Sequence, residues 1–293
     1  MTPEPPRGTA VAAWGFRALA GATEASRRRK AALLARGLQL FARRGRRVAD
    51  INIGVCFPSL DPEQRRALLA AHLDFTAALL VDVASAWHGP ASAWREQVDG
   101  VHGSDCLSDQ QPTLLLAPHL GNWELLNLYL GAEHGLTALF DPPRLAALRE
   151  VIRRGRERSG STLLPIGAAG LRTFARRLAA GQLVALLPDQ VPAPDQGVYA
   201  NFFDRPALTM TLAQRLVQRQ QVRVVLGWAR RLPAGRYALH FEDATAAVSA
   251  SEPAASASAM NAAIESLIRR APEQYQWSYR RFKRPPVGYS RLY

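Results

Sequence analysis

The chain has 293 residues, 48% of them hydrophobic, enough to build a sizeable core in one domain or two. It carries 37 Lys and Arg against 24 Asp and Glu, a formal charge of +13, and only Lys30 and Lys283 are lysines. Such a surface favours phosphate, anionic lipid or an acidic protein partner. The two cysteines, Cys56 and Cys106, have no metal spacing and make no disulfide framework, which argues for a reducing compartment. No signal peptide is expected, and no run of about 18 apolar residues predicts a transmembrane helix, so any membrane contact should be peripheral.

In chain order, MTPEPPRGTA (1–10) reads as a disordered proline-rich lead. Between Ala25 and Arg47, Leu33, Leu34, Leu38 and Phe41 recur at helical spacing, with arginines crowding both ends. That pattern suits an amphipathic helix in a membrane interface, and equally a surface helix packed on its own domain. Ser59 or Asp61 then offers a cap, with Pro62 and Glu63 suited to the first turn of a helix continued by Leu68, Leu69, Leu73, Ala77 and Leu80. Four short apolar runs follow, TLLLAP (113–118), LTALFD (136–141), STLLPIG (161–167) and LVALLPDQ (183–190), with helical patterns between them. RVVLGWARRL and RYALHFED (223–232 and 236–243) predict a hairpin across PAG; ASEPAASASA predicts a surface loop and MNAAIESLIRRAP a last helix. Strands alternating with helices predict an α/β fold: one domain with a mixed, largely parallel central sheet flanked by helices, behind an N-terminal helical segment. The expected division is a tail and basic amphipathic segment over 1–47 and the main domain over 48–293.

Within APHLGNWELLNLYLG (117–131), His119 and Glu124 interrupt an otherwise apolar run. On a continuous helix, five residues would leave their side chains about 140° apart. A break solves this: TLLLAP ends a buried strand, Gly121 and Asn122 permit a turn, and a helix starts near Trp123. His119 then sits past the carboxyl end of a strand, where open α/β sheets bind ligands. Glu124, in the first helical turn, is expected to fold back and hold one ring nitrogen, leaving the other as a general base. The residues alone also allow a surface histidine beside a glutamate favoured by the helix dipole.

PHLGNWELLNLYLG resembles the H-x4-D/E block of the lysophospholipid acyltransferase superfamily, in the form of its lipid A biosynthesis branch. Four further blocks resemble that branch in the same order: INIGVCFPSLDPEQR, IRRGRERSGSTLLP, LVALLPDQ with GVYANFFDRPALT, and PEQYQWSYRRFKRPP, so that the likeness covers roughly residues 48–286. It implies an O-acyltransferase domain in which His119 is the general base and Glu124 its partner. The acyl donor would be a thioester of acyl-carrier protein or CoA, with no metal and no other cofactor. The acceptor would be a lipid A precursor at the cytoplasmic face of the inner membrane, on an anionic membrane surface. Arg156, or its neighbours Arg153, Arg154 and Arg158, would bind an acceptor phosphate or the oxyanion. Asp189 and Gln190 follow the fourth strand on the same sheet edge and, with Asn122, are candidate substrate-binding residues, although Pro188-Asp189 also reads as a turn. Phe202 and Phe203 would line an acyl groove or simply belong to the core. Arg280, Arg281 and Lys283, beside Trp277 and Tyr279, read as an interfacial belt or a solvated tail.

Two departures stand out. The segment where the family carries a hydrophobic anchor is short and broken by GATEASRRRK, and Asp204 stands where the family usually has glycine after the double Phe. A changed acceptor pocket, taking another glycolipid, an aminolipid or a pathway-specific lipid, is the alternative these departures raise. A non-catalytic nucleic-acid or membrane-binding module would also use the charge, yet no helix-turn-helix, RNA-recognition or zinc pattern occurs and no nucleic acid is expected. A metallohydrolase would need more than His119 and Glu124, and no His-Glu-x-x-His is present.

Overall fold

A computed structural model describes residues 9–21, 23–89, 92–107, 111–143 and 145–293. Most of the expected proline-rich lead, residues 1–8, lies outside them. Four helices come first: α1 (Thr9–Leu19), α2 (Glu24–Phe41), α3 (Arg43–Cys56) and α4 (Pro62–His88). The helix expected over 25–47 is thus two, parted at Ala42, whose backbone (φ −82°, ψ 46°) leaves helical geometry. Asp61 caps α4 in a reciprocal capping box with Gln64, with Pro62 in its first turn.

By length and composition alone α4 could cross a membrane, although His72, Asp74 and Asp82 interrupt its apolar residues and no unbroken run of 18 occurs. In the fold it is a core helix: Leu73, Phe75, Leu79, Val83 and Trp87 are buried. His72 is buried with them, its Nδ1 3.4 Å from the Glu273 carbonyl and its Nε2 without a partner among the described residues. Burial pushes its pKa down from 6.5 to about 4. The folded protein therefore keeps His72 neutral while the unfolded chain takes up a proton below pH 6.5. The associated stability is full above that pH and is lost as pH falls towards about 4. At pH 4.5 the loss should be about 2.5 kcal/mol. Urea unfolding at pH 7 and 4.5 checks this: His72→Leu should flatten the pH dependence by that amount, and an unchanged slope would assign the acid sensitivity elsewhere.

The remaining elements are β1 (Val98–His102), β2 (Thr113–Leu116), α5 (Trp123–His134), β3 (Thr137–Phe140), α6 (Ala146–Glu157), β4 (Thr162–Pro165), α7 (Ala168–Ala179), β5 (Leu183–Leu186), β6 (Gly197–Phe202), β7 (Arg205–Met210), α8 (Leu212–Val217), β8 (Arg223–Arg231), β9 (Tyr237–Asp243), α9 (Thr245–Val248) and α10 (Pro253–Arg270). Seven strands form one sheet in the order β1-β9-β8-β2-β5-β3-β4. Every neighbouring pair is parallel except the β8–β9 hairpin. The fold is α/β with a mixed, mostly parallel sheet flanked by helices, as the alternating pattern predicts. Alternate residues of β2 feed two layers: Leu114 and Leu116 pack with Ile53, Phe174 and Ile264 on one face, Leu115 with Phe75, Leu126 and Phe241 on the other.

Three local expectations need correction. ASEPAASASA is not a loop: Glu252 caps the Ala255 N–H at 2.6 Å, Pro253 opens α10, and small Ser256 and Ala257 are buried. The β6–β7 hairpin turns on Phe203 (φ 49°) and Asp204 (φ 58°), both left-handed. A primed turn asks for that conformation, and Asp, like Gly, adopts it more readily than most residues. Asp204 is thus an exposed turn residue meeting the same backbone requirement as a glycine. Finally, the C-terminal segment is not simply a solvated tail: Trp277 and Arg281 are buried, Tyr279 and Arg280 half-buried, and Lys283 is exposed.

Candidate active site

β2 and β5 are parallel neighbours with Leu116 opposite Leu186. Three residues further along each lie His119 and Asp189, brought side by side by that register. The Ala117 N–H donates to the Leu186 carbonyl at 3.0 Å and keeps the two chains together past the strand ends. Gly121 (φ +65°) then turns the chain into α5; a Cβ here would lie 2.0 Å from the Ala229 carbonyl, so only glycine fits. Asn122 caps α5, its Oδ1 accepting from the Leu125 N–H at 2.9 Å.

Asp189 grips His119 twice. Its Oδ2 accepts the backbone N–H of His119 at 2.9 Å, and its Oδ1 lies 2.8 Å from Nδ1. Burial alone would raise the Asp189 pKa; the electrostatic pull of the imidazole and the two hydrogen bonds from His119, with Arg281 behind, outweigh burial and hold it below the ordinary carboxylate value. A carboxylate at Nδ1 fixes the proton there and leaves Nε2 as the lone pair. Gln190 Nε2 lies 3.0 Å from that nitrogen, and the Trp123 ring packs edge-on, its centroid 5.0 Å from the imidazole.

The carboxylate meeting the imidazole is therefore Asp189, where Glu124 was expected. Glu124 faces α6 instead and pairs with Arg156: Nε to Oε2 at 2.8 Å, Nη2 to Oε1 at 2.5 Å. A full positive charge outcompetes a neutral ring for the same carboxylate. Burial works to lower the Arg156 pKa, but the charge and hydrogen bonds of Glu124 raise it on balance. Next to Arg156, Gly155 lets α6 pack closely on α4, because a Cβ there would fall 2.4 Å from Cδ2 of Trp87. Beside Glu124 and Trp123 opens an apolar pocket of about 200 Å³, walled by Phe16, Phe75, Leu79, Val83 and Trp87.

The other candidates lie elsewhere. Arg158 donates to the Ala86 and Gly89 carbonyls, both at 2.7 Å, and so closes the end of α4. Arg153 and Arg154 pair with Glu150 on an exposed helix face. Asn122 is fully buried beneath the turn. Phe202 and Phe203 are core residues, far from lining the pocket beside Glu124. Arg281 donates to the Leu208 carbonyl and to Thr209 Oγ1, both at 2.7 Å. The sequence reading missed Gln276, whose N–H donates to the His119 carbonyl at 3.0 Å and whose Oε1 lies 3.3 Å from Gln190 Nε2. Its one signal was the polar pair Gln274 and Gln276 set among buried aromatics in EQYQW.

An α/β sheet with a histidine–aspartate pair at the carboxyl ends of its central strands, beside an apolar pocket, is a scaffold suited to chemistry on a lipid. Residues 8–284 match the bacterial lipid A biosynthesis acyltransferase family, and the chain belongs to it. It is 30% identical over 259 residues to the lipid A biosynthesis palmitoleoyltransferase of Escherichia coli K12, covering 86% of this chain and 83% of that one. Likeness to the lipid A biosynthesis lauroyltransferase of the same organism is 26% over 253 residues, covering 85% and 82%. A lipid A biosynthesis acyltransferase of Shigella flexneri is 30% identical over 259 residues, covering 86% and 83%. The chain is accordingly an acyltransferase of lipid A, and so of lipopolysaccharide, biosynthesis, with a lipid as its acceptor.

Proposed function

We propose that the chain moves a fatty acyl group from an acyl thioester, of acyl-carrier protein or CoA, to a hydroxyl of a lipid A precursor, with His119 as general base. The observation that carries this is the 2.8 Å contact between His119 Nδ1 and Asp189, which leaves Nε2 as the proton acceptor. The acceptor hydroxyl gives its proton to Nε2 and its oxygen attacks the thioester carbonyl. A C–O bond forms, the C–S bond breaks, and the imidazolium returns the proton to the departing thiolate. Neither a metal nor a covalent acyl-enzyme is required.

Glu124 acts through Arg156. With Nε and Nη2 held by Glu124, Nη1 of Arg156 has no hydrogen-bond partner among the described residues and is the group offered to a phosphate or the developing oxyanion. The apolar pocket beside this pair suits the acyl chain. Val11 and Trp14 on α1, with Leu33, Leu40 and Phe41 on α2, are exposed among arginines. They support peripheral attachment to an anionic membrane surface, at the cytoplasmic face of the inner membrane. The basic surface likewise suits acyl-carrier protein, an acidic partner.

The test is acyl transfer by the purified chain, from mixed acyl-carrier-protein thioesters to a lipid A precursor and to total inner-membrane lipid, read by mass spectrometry. A new acylated species that disappears in His119→Ala is expected. Transfer by His119→Ala at the wild-type rate would overturn the assignment of the base. Product only with inner-membrane lipid would move the acceptor to another lipid.

A further inference from the structure

The lone pair of the base already has a partner within the protein. With Nδ1–H directed at Asp189, Nε2 of the neutral imidazole, the form a general base needs, can only accept, and the 3.0 Å contact is then Gln190 donating an N–H into that lone pair. The second N–H of the same amide is placed on Gln276 Oε1 at 3.3 Å. Gln276 is fixed to the same turn by its backbone N–H, which donates to the His119 carbonyl. Trp123 covers another side of the ring, and only 12% of the His119 side chain is exposed. An acceptor hydroxyl must come within about 2.6–3.2 Å of Nε2 to give up its proton. Gln190 holds that place, and the two cannot share one lone pair.

We propose that Gln190 is a stopper on the base, displaced by the acceptor lipid and much less readily by water; this rests on the reading of His119 as general base. A lipid brings binding contacts that offset the lost hydrogen bond, whereas water brings none. What the stopper suppresses is hydrolysis of the donor. In that reaction a water proton passes to His119 Nε2, the water oxygen forms a C–O bond to the acyl carbon, and the C–S bond breaks. The thiolate then takes the proton, leaving a free fatty acid and a thiol. Gln190 is a positioning residue, since it governs access to the base and leaves the chemistry to His119.

The test uses the full chain with an acyl-carrier-protein thioester, with and without lipid A precursor, following thiol release and acylated lipid together. Gln190→Ala should raise acceptor-free hydrolysis about five-fold, the worth of one neutral hydrogen bond, and raise the ratio of hydrolysis to transfer. A gain in rate cannot come from a loosened fold, which would lose the base. Gln276→Leu, which frees the amide at its other anchor, should raise hydrolysis in the same direction by a smaller factor. The double change His119→Ala with Gln190→Ala should abolish the gain; hydrolysis that persists there bypasses His119 and overturns the stopper. No rise in either single variant, while wild type transfers and His119→Ala does not, overturns the stopper and leaves the base standing. Transfer by His119→Ala at the wild-type rate removes both.

Discussion

Asp189→Asn should lower acyl transfer about 10³–10⁴-fold, close to the loss from removing the imidazole, as the equivalent change does in the Ser-His-Asp arrangement. The reason is a count of donors. Two N–H groups of His119, on the backbone and on Nδ1, point at the two oxygens of Asp189, 2.9 and 2.8 Å away. Asparagine offers one oxygen and one NH₂. If the oxygen keeps the backbone N–H, the NH₂ faces Nδ1, and the imidazole must shift its proton to Nε2. That tautomer has no lone pair for the acceptor hydroxyl. The alternative leaves a buried backbone N–H facing a donor, at a cost of about 1–3 kcal/mol. Initial rates at saturating donor and acceptor check it, with the loss in kcat rather than KM. If Asp189→Asn keeps more than a tenth of the wild-type rate, the imidazole takes its carboxylate from another residue once substrate is bound.

The same pair shows where the sequence could be read and where it could not. His119 and Glu124 are visible because polar side chains in TLLLAPHLGNWELL have no packing reason to be there. The turn that separates them is visible in Gly121 and Asn122. Which carboxylate reaches the ring is another matter, because Asp189 lies 70 residues from His119 and Arg156 32 residues from Glu124. The first depends on strand order, on β5 rather than β3 or β4 lying beside β2, and the second on α6 packing beside α5. Four short apolar strands carry no label for their neighbours. Elements without an apolar run were missed for a related reason. β1, VDGVH, is an edge strand with three exposed residues, and β6–β7 turns on Phe-Asp rather than on a glycine pair. In α10 the Ala/Ser run reads as low complexity, yet small residues are what close packing of a helix on the sheet demands.

Breaking the Glu124–Arg156 pair from one side should cost about 3 kcal/mol of stability, and removing both partners should return most of it. Glu124 is 8% exposed and Arg156 24%, so Arg156→Met leaves a carboxylate in an apolar wall with no counter-charge. Loss of one partner of a buried pair costs about 3–5 kcal/mol; the low end applies here because the guanidinium keeps some water. Glu124→Leu leaves the arginine stranded instead. In the double variant Glu124→Leu with Arg156→Met neither charge needs solvation, and apolar replacement of buried pairs is often neutral in stability. Urea unfolding of the four proteins gives the coupling energy directly, which should exceed about 1.5 kcal/mol for groups this close. Activity should part company with stability. The stable double variant should transfer no acyl group, because Nη1 of Arg156 has gone with the rest. If it regains activity along with stability, the pair is only a structural tie between α5 and α6, and the oxyanion or phosphate of the acceptor must be met by another residue. A double variant that stays as unstable as the single ones would instead mean that the charges fill a space no apolar pair can, with Gly155 and Trp87 packed too tightly behind them to let the wall close.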